Sequence, residues 1–334
     1  MRLVVDSKIP YIREALATLT ADVAYIEGSE ITAADVHRAD ALIVRTRTAC
    51  DERLLGGSSV RFIATATIGY DHLDTDYLQR AGIAWTNCPG CNAGSVAQYV
   101  RSVFILLLRD GMISRGDMVG IVGCGHVGSR VLAVAREMGF NTMVCDPPLN
   151  APHTLGDIAA ACDIVTFHVP LTHDGPHATY HLADNRFFDS LRRRPVVINT
   201  SRGAVVDNEE LLTALNDGSV RQAVIDTWEG EPLINLDLLR RAYIGTPHIA
   251  GYSADGKVNA DNMVLAALCR HFNIGSVPCV TAPPLQLSAP LPPYGTDDYY
   301  LSLYNPMDDS LRLKNDPAAF ERLRGDYPLR RERA

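Results

Sequence analysis

Short runs of aliphatic residues recur along the first two thirds of the chain and alternate with longer stretches that have helical spacing. The runs that predict strands are residues 3–6, 41–45, 61–65, 118–122, 141–145, 163–169, 195–199 and 222–226. Continuous apolar strands of this kind are typical of parallel sheets covered by helices on both faces. The pattern therefore predicts an α/β protein with two doubly wound parallel sheets.

A long apolar stretch at residues 95–109 separates the two blocks of strands and predicts a helix between them. A second helical stretch, residues 254–272, follows the last predicted strand, and we expect it to return to the first block and close its sheet. These features predict a discontinuous first domain of residues 1–94 and 255–275 and a second domain of residues 95–254.

Residues 276–334 form a third segment, which opens with six prolines and then becomes rich in tyrosine and charged residues. Prolines stop helices, so residues 276–295 predict a linker or an extended arm. The aromatic residues beyond the prolines need burial, which favours a small oligomerisation module over a disordered tail. We therefore expect a Pro-rich linker followed by a short C-terminal dimerisation segment.

The balance of charged residues limits the kinds of molecule that the protein can bind. The chain has 39 acidic and 31 basic side chains and a formal net charge of −8, which excludes a surface that binds nucleic acid or anionic membranes by bulk charge. Only three basic residues are lysines, namely Lys8, Lys257 and Lys314, so an anion site would rely mainly on arginine.

The start of the chain lacks the apolar stretch of a signal peptide. The longest aliphatic or aromatic run, residues 103–108, is far shorter than the roughly 20 residues that span a bilayer. We therefore expect a cytoplasmic protein that does not bind membranes.

Eight cysteines are scattered through a chain too long to need disulfides, and we expect reduced thiols that pack as small apolar side chains. Cys88 and Cys91 form a CxxC pair, which also fits a redox site or half of a zinc site. Because no second CxxC follows, the sequence favours buried thiols and predicts no metal.

A glycine-rich motif follows the predicted strand at 118–122. Its residues are Gly123, Cys124, Gly125, His126, Val127 and Gly128. A helical pattern comes after it, and Asp146 lies at the end of the next strand, 18 residues beyond Gly128. Glycines in this setting let the backbone approach a pyrophosphate at a helix N-terminus, and the carboxylate accepts hydrogen bonds from a ribose. The motif predicts a dinucleotide site that prefers NAD over NADP; the alternative is that the glycines only pack helix against strand.

Three polar segments follow later strands, at the edge of an open α/β sheet where ligands bind. Their sequences are NTSRG (199–203), DTWEGEP (226–232) and TPHIAG (246–251). The order of RG, DxWxxEP and PHIAG resembles the D-2-hydroxyacid dehydrogenase family over residues 1–275. This resemblance implies two Rossmann-like domains: a flavodoxin-like substrate domain at 1–94 and 255–275, and an NAD-binding Rossmann domain at 95–254.

The resemblance assigns a catalytic triad to Arg202, Glu231 and His248, and the chemistry independently favours these residue types. Oxidation of a 2-hydroxy acid needs a base for the hydroxyl proton, and histidine has an unperturbed pKa near 6.5. Glu231 would fix the tautomer of His248, and the planar fork of Arg202 suits a substrate carboxylate. Asp226 and Gly251, with Asp146, occupy the family's NAD contacts.

Further segments narrow the resemblance to a branch of the family that oxidises a phosphorylated 2-hydroxy acid. They are VDSKIPY, ALIVRTRT, TATIGYDHLD, NCPGCNAGSVAQYV, VCDPP, PLTHDGPHATYHL, SRGAVVDN and HIAGYSADGK. In this branch the substrate contacts fall on Thr46, Thr67 and Tyr252, and the C-terminal segment implies a homodimer. Arg45, at a strand end, and Lys257 are the candidates for the substrate phosphate.

Two alternatives fit the same residues. The same triad would serve another 2-hydroxyacid dehydrogenase, acting on 3-phosphoglycerate, glycerate or a D-lactate-like acid. The same fold would also serve an NAD-sensing interaction protein.

Overall fold

The computed structural model of the protein describes residues 1–284 and 290–332. It divides the chain into two compact units, one of residues 1–92 with 253–284 and one of residues 93–252 with 290–332. The sequence predicted the two boundaries between these units after residues 94 and 254, two residues later than the structure places them. Part of the predicted Pro-rich linker, residues 285–289, lies outside the described residues.

Eleven strands are found among the described residues. They are β1 (Leu3–Asp6), β2 (Val23–Ile26), β3 (Ala41–Val44), β4 (Phe62–Thr65), β5 (Ala84–Thr86), β6 (Met118–Val122), β7 (Asn141–Cys145), β8 (Ile164–Phe167), β9 (Val196–Asn199), β10 (Gln222–Ile225) and β11 (Ile244–Gly245). Each of the eight predicted runs contains one of these strands, so that part of the prediction is confirmed.

The strands form two parallel sheets, one in each unit. The first unit has the order β2-β1-β3-β4-β5 and the second has the order β11-β10-β9-β8-β6-β7. The pairings are parallel throughout, for example Val122 of β6 opposite Cys145 of β7 and Phe167 of β8 opposite Asn199 of β9. The first order is that of a flavodoxin-like fold, and the second turns back at β6, as in a doubly wound nucleotide-binding fold. Both sheets match the predicted fold class.

The sequence missed β2, β5 and β11, and all three are edge strands. An edge strand pairs on one side only, so it can be short and need not be apolar throughout. β5 and β11 have three and two residues and are too short to show an apolar run. β2 has the apolar sequence VAYI but is only half-buried along its length, and the prediction overlooked it.

Fourteen α-helices cover the sheets in the described residues. In chain order they are α1 (Ile12–Ala17), α2 (Ala33–Val36), α3 (Glu52–Leu55), α4 (Thr75–Ala81), α5 (Ala93–Arg109), α6 (His126–Glu137), α7 (Leu155–Ala161), α8 (Asn185–Asp189), α9 (Asn208–Asp217), α10 (Leu236–Arg241), α11 (Ala254–His271), α12 (Asp297–Leu303), α13 (Pro306–Asn315) and α14 (Phe320–Gly325). No helix in this part of the chain combines the length and the apolar character needed to cross a membrane.

Helix α5 begins the second unit, and α11 belongs to the first. The buried positions of α5 include Val96, Val100, Val103 and Leu107, whose spacing of three and four residues puts them on one face. This face joins β6 and α6 in an apolar core. The long apolar stretch therefore buries itself against the second sheet, while α11 packs on β4 of the first.

The C-terminal segment packs into the second unit and does not form a body of its own. Helix α13 lies along β11, where the Gly245 N–H donates to Ser310 Oγ at 3.0 Å and the open edge of the sheet is thereby occupied. Leu313 and Phe320 are buried in the core that also contains Trp228. The sequence set residues 276–334 apart as a third segment, whereas the described part from residue 290 on belongs to the second unit, because its apolar residues complete a core that strands of that unit begin.

We expect Leu313→Ala to lower the free energy of unfolding by about 2–5 kcal/mol, because it leaves a cavity in a closed core. Denaturant unfolding followed by tryptophan fluorescence measures this, since Trp228 lies in the same core. Leu311→Ala is the matched control: this leucine is on the same helix but 52% exposed, and its loss should change stability by less than about 0.5 kcal/mol. Equal effects of the two changes would contradict the packing described.

Candidate active site

The glycine-rich turn connects β6 to α6. Gly123 has φ +87, a backbone conformation that favours glycine, and a Cβ on Gly128 would lie 1.9 Å from the Gly123 carbonyl oxygen. A Cβ on Gly125, by contrast, would meet no protein atom within 4 Å. Gly123 and Gly128 are therefore needed for packing, whereas Gly125 leaves open space in front of the helix.

Helix α6 begins at His126 with Gly125 as its N-cap, and no side chain caps it. Its first turn contains no acidic residue, so no side chain of the helix itself neutralises the partial positive charge of the N-terminus. His126 is exposed and Val127 is half-buried, and both contribute backbone N–H groups to this first turn. The helix end suits an anionic group such as a pyrophosphate.

Asp146 comes directly after β7, beside the glycine-rich turn. Its Oδ2 accepts a hydrogen bond from the Cys124 N–H at 2.6 Å, and its Oδ1 accepts one from the Leu149 N–H at 3.2 Å. The carboxylate is half-buried and fixed at the carboxyl edge of the sheet. The structure therefore brings Asp146 and the glycine motif together, as the sequence predicted.

Arg202 lies in the loop after β9, which is held by a buried amide. Asn199 accepts from the Ser201 N–H at 3.1 Å and donates to the Arg202 carbonyl at 3.0 Å. A Cβ on Gly203 would overlap the Trp228 carbonyl oxygen at 1.9 Å, so the glycine lets the loops after β9 and β10 touch. The Arg202 side chain is half-buried, and its Nη1 donates to the Ser201 carbonyl at 2.9 Å.

His248 and Glu231 form a direct pair. His248 Nδ1 lies 2.9 Å from Glu231 Oε2 and 3.2 Å from Oε1, and Oε1 also accepts from the Trp228 N–H at 2.9 Å. The side chains are only 25% and 17% exposed, so solvent screens the pair weakly. With Nδ1 bound to the carboxylate, Nε2 is the nitrogen left to exchange a proton with a substrate.

Residues 246–252, here called the His248 loop, are anchored by the buried carboxylate of Asp226. Its Oδ1 accepts from Thr246 Oγ1 at 2.6 Å and from the Ile249 N–H at 2.8 Å, and its Oδ2 accepts from the Ala250 N–H at 3.0 Å. His248 itself has φ +57, in the left-handed region, and its N–H donates to the Asp226 carbonyl at 2.8 Å. These bonds hold His248 in a conformation that an unsupported residue would rarely adopt.

The pKa values of the two carboxylates of the site are shifted in opposite directions. Burial raises the pKa of Asp226, although His248 and the three hydrogen bonds act against it. Burial would also raise the pKa of Glu231, but the hydrogen bond and charge of His248, the Trp228 N–H and Arg324 outweigh it and hold that pKa below its usual value. Glu231 is therefore an anion at neutral pH, as a partner of an imidazolium must be.

Gly251 and Tyr252 complete the loop and are both half-buried. Both oxygens of Asp226 bond to the loop, so this residue has a clear structural task besides the predicted contact with NAD. The loops after β6, β7, β9, β10 and β11 all lie at the carboxyl edge of one parallel sheet, because every strand runs in the same direction. The structure thus gathers the predicted cofactor residues and the predicted triad at one edge.

The remaining predicted substrate residues lie in the first unit. Thr46 is exposed just after β3, while the Thr67 hydroxyl donates to the Gly69 carbonyl at 2.8 Å. Arg45 forms a two-point ion pair with the buried Asp6, at 2.9 and 3.3 Å. Its guanidinium is therefore already engaged within its own unit.

Lys257 is on α11, one turn before Asp261. Burial raises the pKa of Asp261 to about 8, and the positive charge of Lys257 opposes this rise. Lys257 also faces Cys91, whose pKa burial raises to about 11, and burial likewise raises the pKa of Cys88. The two cysteines of the CxxC pair are thus buried thiols, not thiolates, at neutral pH.

Among the described residues, His181, Asp207 and Glu229 form a group of metal-ligating type. His181 Nδ1 lies 3.1 Å from Asp207 Oδ2, and Nε2 lies 2.7 Å from Glu229 Oε1. The ring uses both nitrogens on the two carboxylates, whereas a zinc ligand offers one nitrogen to a metal at about 2 Å. We therefore interpret His181 as a bridge between the loop that follows Arg202 and the loop that carries Glu231.

Two arginines of the C-terminal segment also reach this site and were not predicted from the sequence. Arg324 Nη1 lies 3.4 Å from Glu231 Oε2, and Arg330 is buried against the His248 loop. Nothing in the sequence distinguishes them from Arg322 or Arg331, because arginines are frequent there and no spacing rule connects them to His248.

Comparison with known proteins places this sheet edge in a known class. Residues 109–250 match the family described as "D-isomer specific 2-hydroxyacid dehydrogenase, NAD binding domain". NAD-bound 3-phosphoglycerate dehydrogenase from Entamoeba histolytica shares the fold, with a TM-score of 0.71 and 25% identity over 85% of this chain and 99% of that chain. The fold and the site define an NAD-dependent dehydrogenase of the D-2-hydroxyacid class.

Two relatives cover almost the whole chain. Erythronate-4-phosphate dehydrogenase from Bacteroides fragilis is 52% identical over 99% of this chain and 97% of its own length. The Escherichia coli protein of the same name is 40% identical over 99% of this chain and 87% of its length. This chain belongs to the erythronate-4-phosphate dehydrogenase family. The predicted fold class, family and NAD cofactor are confirmed.

We expect Gly125→Ala to leave the folded state almost unchanged but to weaken NAD binding by roughly tenfold or more, equivalent to about 1.4 kcal/mol. The added methyl would project into the open space that the pyrophosphate should occupy. Calorimetric titration with NAD and thermal unfolding together measure both effects.

Gly128→Ala is the comparison variant, because its methyl would overlap the Gly123 carbonyl and should lower thermal stability. A Gly125→Ala variant that binds NAD as tightly as the unmodified protein would contradict this placement of the cofactor.

Proposed function

We propose that the protein oxidises 4-phospho-D-erythronate to (3R)-3-hydroxy-2-oxo-4-phosphooxybutanoate with NAD⁺, as a step of vitamin B6 (pyridoxal 5′-phosphate) biosynthesis. The observation that carries this proposal is the His248–Glu231 pair, at 2.9 Å, on the carboxyl edge of the sheet that bears the glycine-rich turn. Membership of the erythronate-4-phosphate dehydrogenase family supplies the substrate.

NAD⁺, when bound, accepts the hydride that leaves C2 of the substrate. The residues present fit this cofactor. The open space at Gly125 and the uncapped N-terminus of α6 suit the pyrophosphate, and Asp146 suits the adenosine ribose hydroxyls. His126, Val127, Asp226 and Gly251 are proposed as further contacts.

His248 is proposed as the base. Its neutral Nε2 takes the proton of the C2 hydroxyl as the hydride departs from the same carbon, so the alcohol becomes a ketone and the imidazole becomes an imidazolium. Glu231 accepts the hydrogen bond from Nδ1, which keeps the reactive nitrogen aimed outward and stabilises the charge that develops on the ring.

Arg202 is proposed to bind the substrate carboxylate through its planar fork and to polarise the C2 oxygen. Thr46, Thr67 and Tyr252 are proposed as further substrate contacts. The phosphate carries about −1.5 to −2 charge and needs a cation. Of the two candidates, Arg45 would have to share its guanidinium with the carboxylate of Asp6. Lys257 lies near Asp261, whose pKa burial raises to about 8, so that carboxyl group is largely uncharged at neutral pH.

We also propose that the enzyme acts as a cytoplasmic homodimer, with the C-terminal segment at the interface. The resemblance of this segment to a dimerisation domain supports the proposal. Sedimentation of the full chain over a range of concentrations tests it, and a single species of 36.4 kDa at all concentrations would contradict it.

We expect kcat/KM with NAD to be highest for 4-phospho-D-erythronate in a panel that also contains 3-phosphoglycerate, glycerate and D-lactate. Formation of NADH is followed by its absorbance, with and without a 2-oxo acid that reoxidises bound NADH. Faster turnover of 3-phosphoglycerate would show that 4-phospho-D-erythronate is not the preferred substrate. No turnover of any acid would favour an NAD-sensing role.

His248→Gln serves as the catalytic control for this panel. It should reduce kcat by on the order of 10²–10⁴ while NAD affinity is retained, because only the proton acceptor is lost.

We expect Asp146→Asn to weaken NAD binding and to narrow the preference for NAD over NADP by roughly tenfold or more, about 1.4 kcal/mol. Asparagine matches the shape of the side chain but removes the negative charge that repels a 2′-phosphate. Titration with both cofactors measures the ratio. Unchanged selectivity would mean that Asp146 does not face the ribose.

A further inference from the structure

Two arginines of the C-terminal segment lie beside the His248–Glu231 pair: Arg324 contacts Glu231, and Arg330 contacts the His248 loop. Arg324 is on α14, and Arg330 lies six residues farther along the chain. Both belong to the same compact unit as His248 and Glu231. The segment was expected to form a dimer interface, yet it also contacts Glu231 and the His248 loop.

Arg330 binds the backbone of the His248 loop. Its Nη1 donates to the carbonyls of Ile249 and Tyr252 at 3.1 and 3.0 Å, and its Nη2 donates to the Ala250 carbonyl at 2.6 Å. The same guanidinium reaches α5, where Ser95 Oγ accepts at 3.1 Å and Gln98 Oε1 accepts at 3.0 Å. One side chain therefore ties three carbonyls of the loop to a long helix.

The surroundings of Arg330 compensate its burial. The guanidinium lies 3.8 Å from the centre of the Tyr304 ring, and it donates to the Tyr327 hydroxyl at 3.2 Å. Tyr304 and Tyr327 in turn both donate to Asp309 Oδ2, at 3.2 and 3.0 Å. Removing a cation from water without such partners costs several kcal/mol. Because the partners lie around a planar group with several N–H donors, they suit a guanidinium better than an ammonium.

Arg324 acts at the other member of the pair. It shares Glu231 Oε2 with His248: the distances to this oxygen are 3.4 Å from Arg324 Nη1 and 2.9 Å from His248 Nδ1. Arg324 is also hydrogen-bonded to the side chain of Tyr252. Its side chain is only 21% exposed, so its charge acts on the carboxylate with little screening.

We propose that Arg324 and Arg330 are positioning residues for the His248–Glu231 pair. Arg330 fixes the loop that carries His248, and Arg324 takes part of the negative charge of Glu231 that would otherwise act on the imidazole alone. This inference rests on the proposed role of His248 as the base.

The charge effect has a definite sign. Among the described residues, Arg324 acts on Glu231 and Asp226 interacts with His248, while Tyr252 and Glu321 act on Arg324 in turn. Loss of the Arg324 charge leaves Glu231 to favour the imidazolium more strongly. Because oxidation needs neutral His248, the acid limb of the pH–activity profile should then move to higher pH.

The test of Arg324 compares Arg324→Gln with Arg322→Gln. Arg322 is on the same helix, but its side chain is 70% exposed and pairs with Asp316. We expect Arg324→Gln to move the acid limb of kcat/KM up by roughly 0.5–1 pH unit and Arg322→Gln to leave it unchanged. Arg324→Lys should restore most of the shift, and NAD affinity should stay constant in all three variants.

Two results would overturn the role of Arg324. A loss of activity that is uniform across pH would mean a purely structural effect. A higher KM for 4-phosphoerythronate with unchanged kcat and unchanged limbs would mean that Arg324 binds substrate.

The test of Arg330 uses hydrogen exchange of the full-length protein, which does not depend on turnover. Arg330→Lys keeps the charge but loses the fork, and we expect faster exchange of the amides of residues 248–252 together with a roughly tenfold or greater fall in kcat. Tyr327→Phe removes one acceptor of Arg330 and should cause a smaller change in the same amides, should the lysine variant fail to fold.

Unchanged exchange and unchanged kcat in Arg330→Lys would refute the positioning role. If the unmodified protein fails to oxidise 4-phosphoerythronate, the proposed function fails, whereas the exchange result still decides whether Arg330 holds the loop.

Discussion

The buried carboxylate of Asp226 is the constraint on which the site depends. It accepts three hydrogen bonds from the His248 loop, and its own carbonyl accepts the His248 N–H. These bonds hold His248 at a positive φ, from which the ring meets Glu231. A carboxylate that is removed from water needs such donors, so the loop and Asp226 stabilise each other.

The C-terminal segment extends this arrangement. Ser310 occupies the open edge at β11, and Leu313 and Phe320 complete the core that contains Trp228. Arg330 binds the carbonyls of the His248 loop, whereas Asp226 binds its N–H groups. A segment that follows a Pro-rich stretch thus becomes part of the nucleotide-binding unit. Stability of the core and the geometry of the candidate site therefore depend on the same packing.

Much of the site could be predicted because its signals are local. The glycine motif, Asp146 and the segments that carry Arg202, Glu231 and His248 each follow a strand, and parallel strands deliver their carboxyl ends to one edge. The edge strands β5 and β11 escaped prediction because strands of three and two residues leave little pattern in the sequence, whereas the apolar run of the edge strand β2 was overlooked. Arg324 and Arg330 escaped prediction because their partners are distant in the chain: Glu231 is 93 residues from Arg324, and Tyr252 is 78 residues from Arg330.

The sequence by itself determined the two parallel sheets, the nucleotide motif and the class of chemistry, since period, spacing and residue type are local properties. Tertiary structure alone decided which charges meet. In the folded protein Arg45 pairs with Asp6, and Asp226 binds the His248 loop. Of the many arginines, Arg324 contacts Glu231 and Arg330 contacts the His248 loop. Ion pairs and buried hydrogen bonds form between residues far apart in the chain, and only the packed fold selects them.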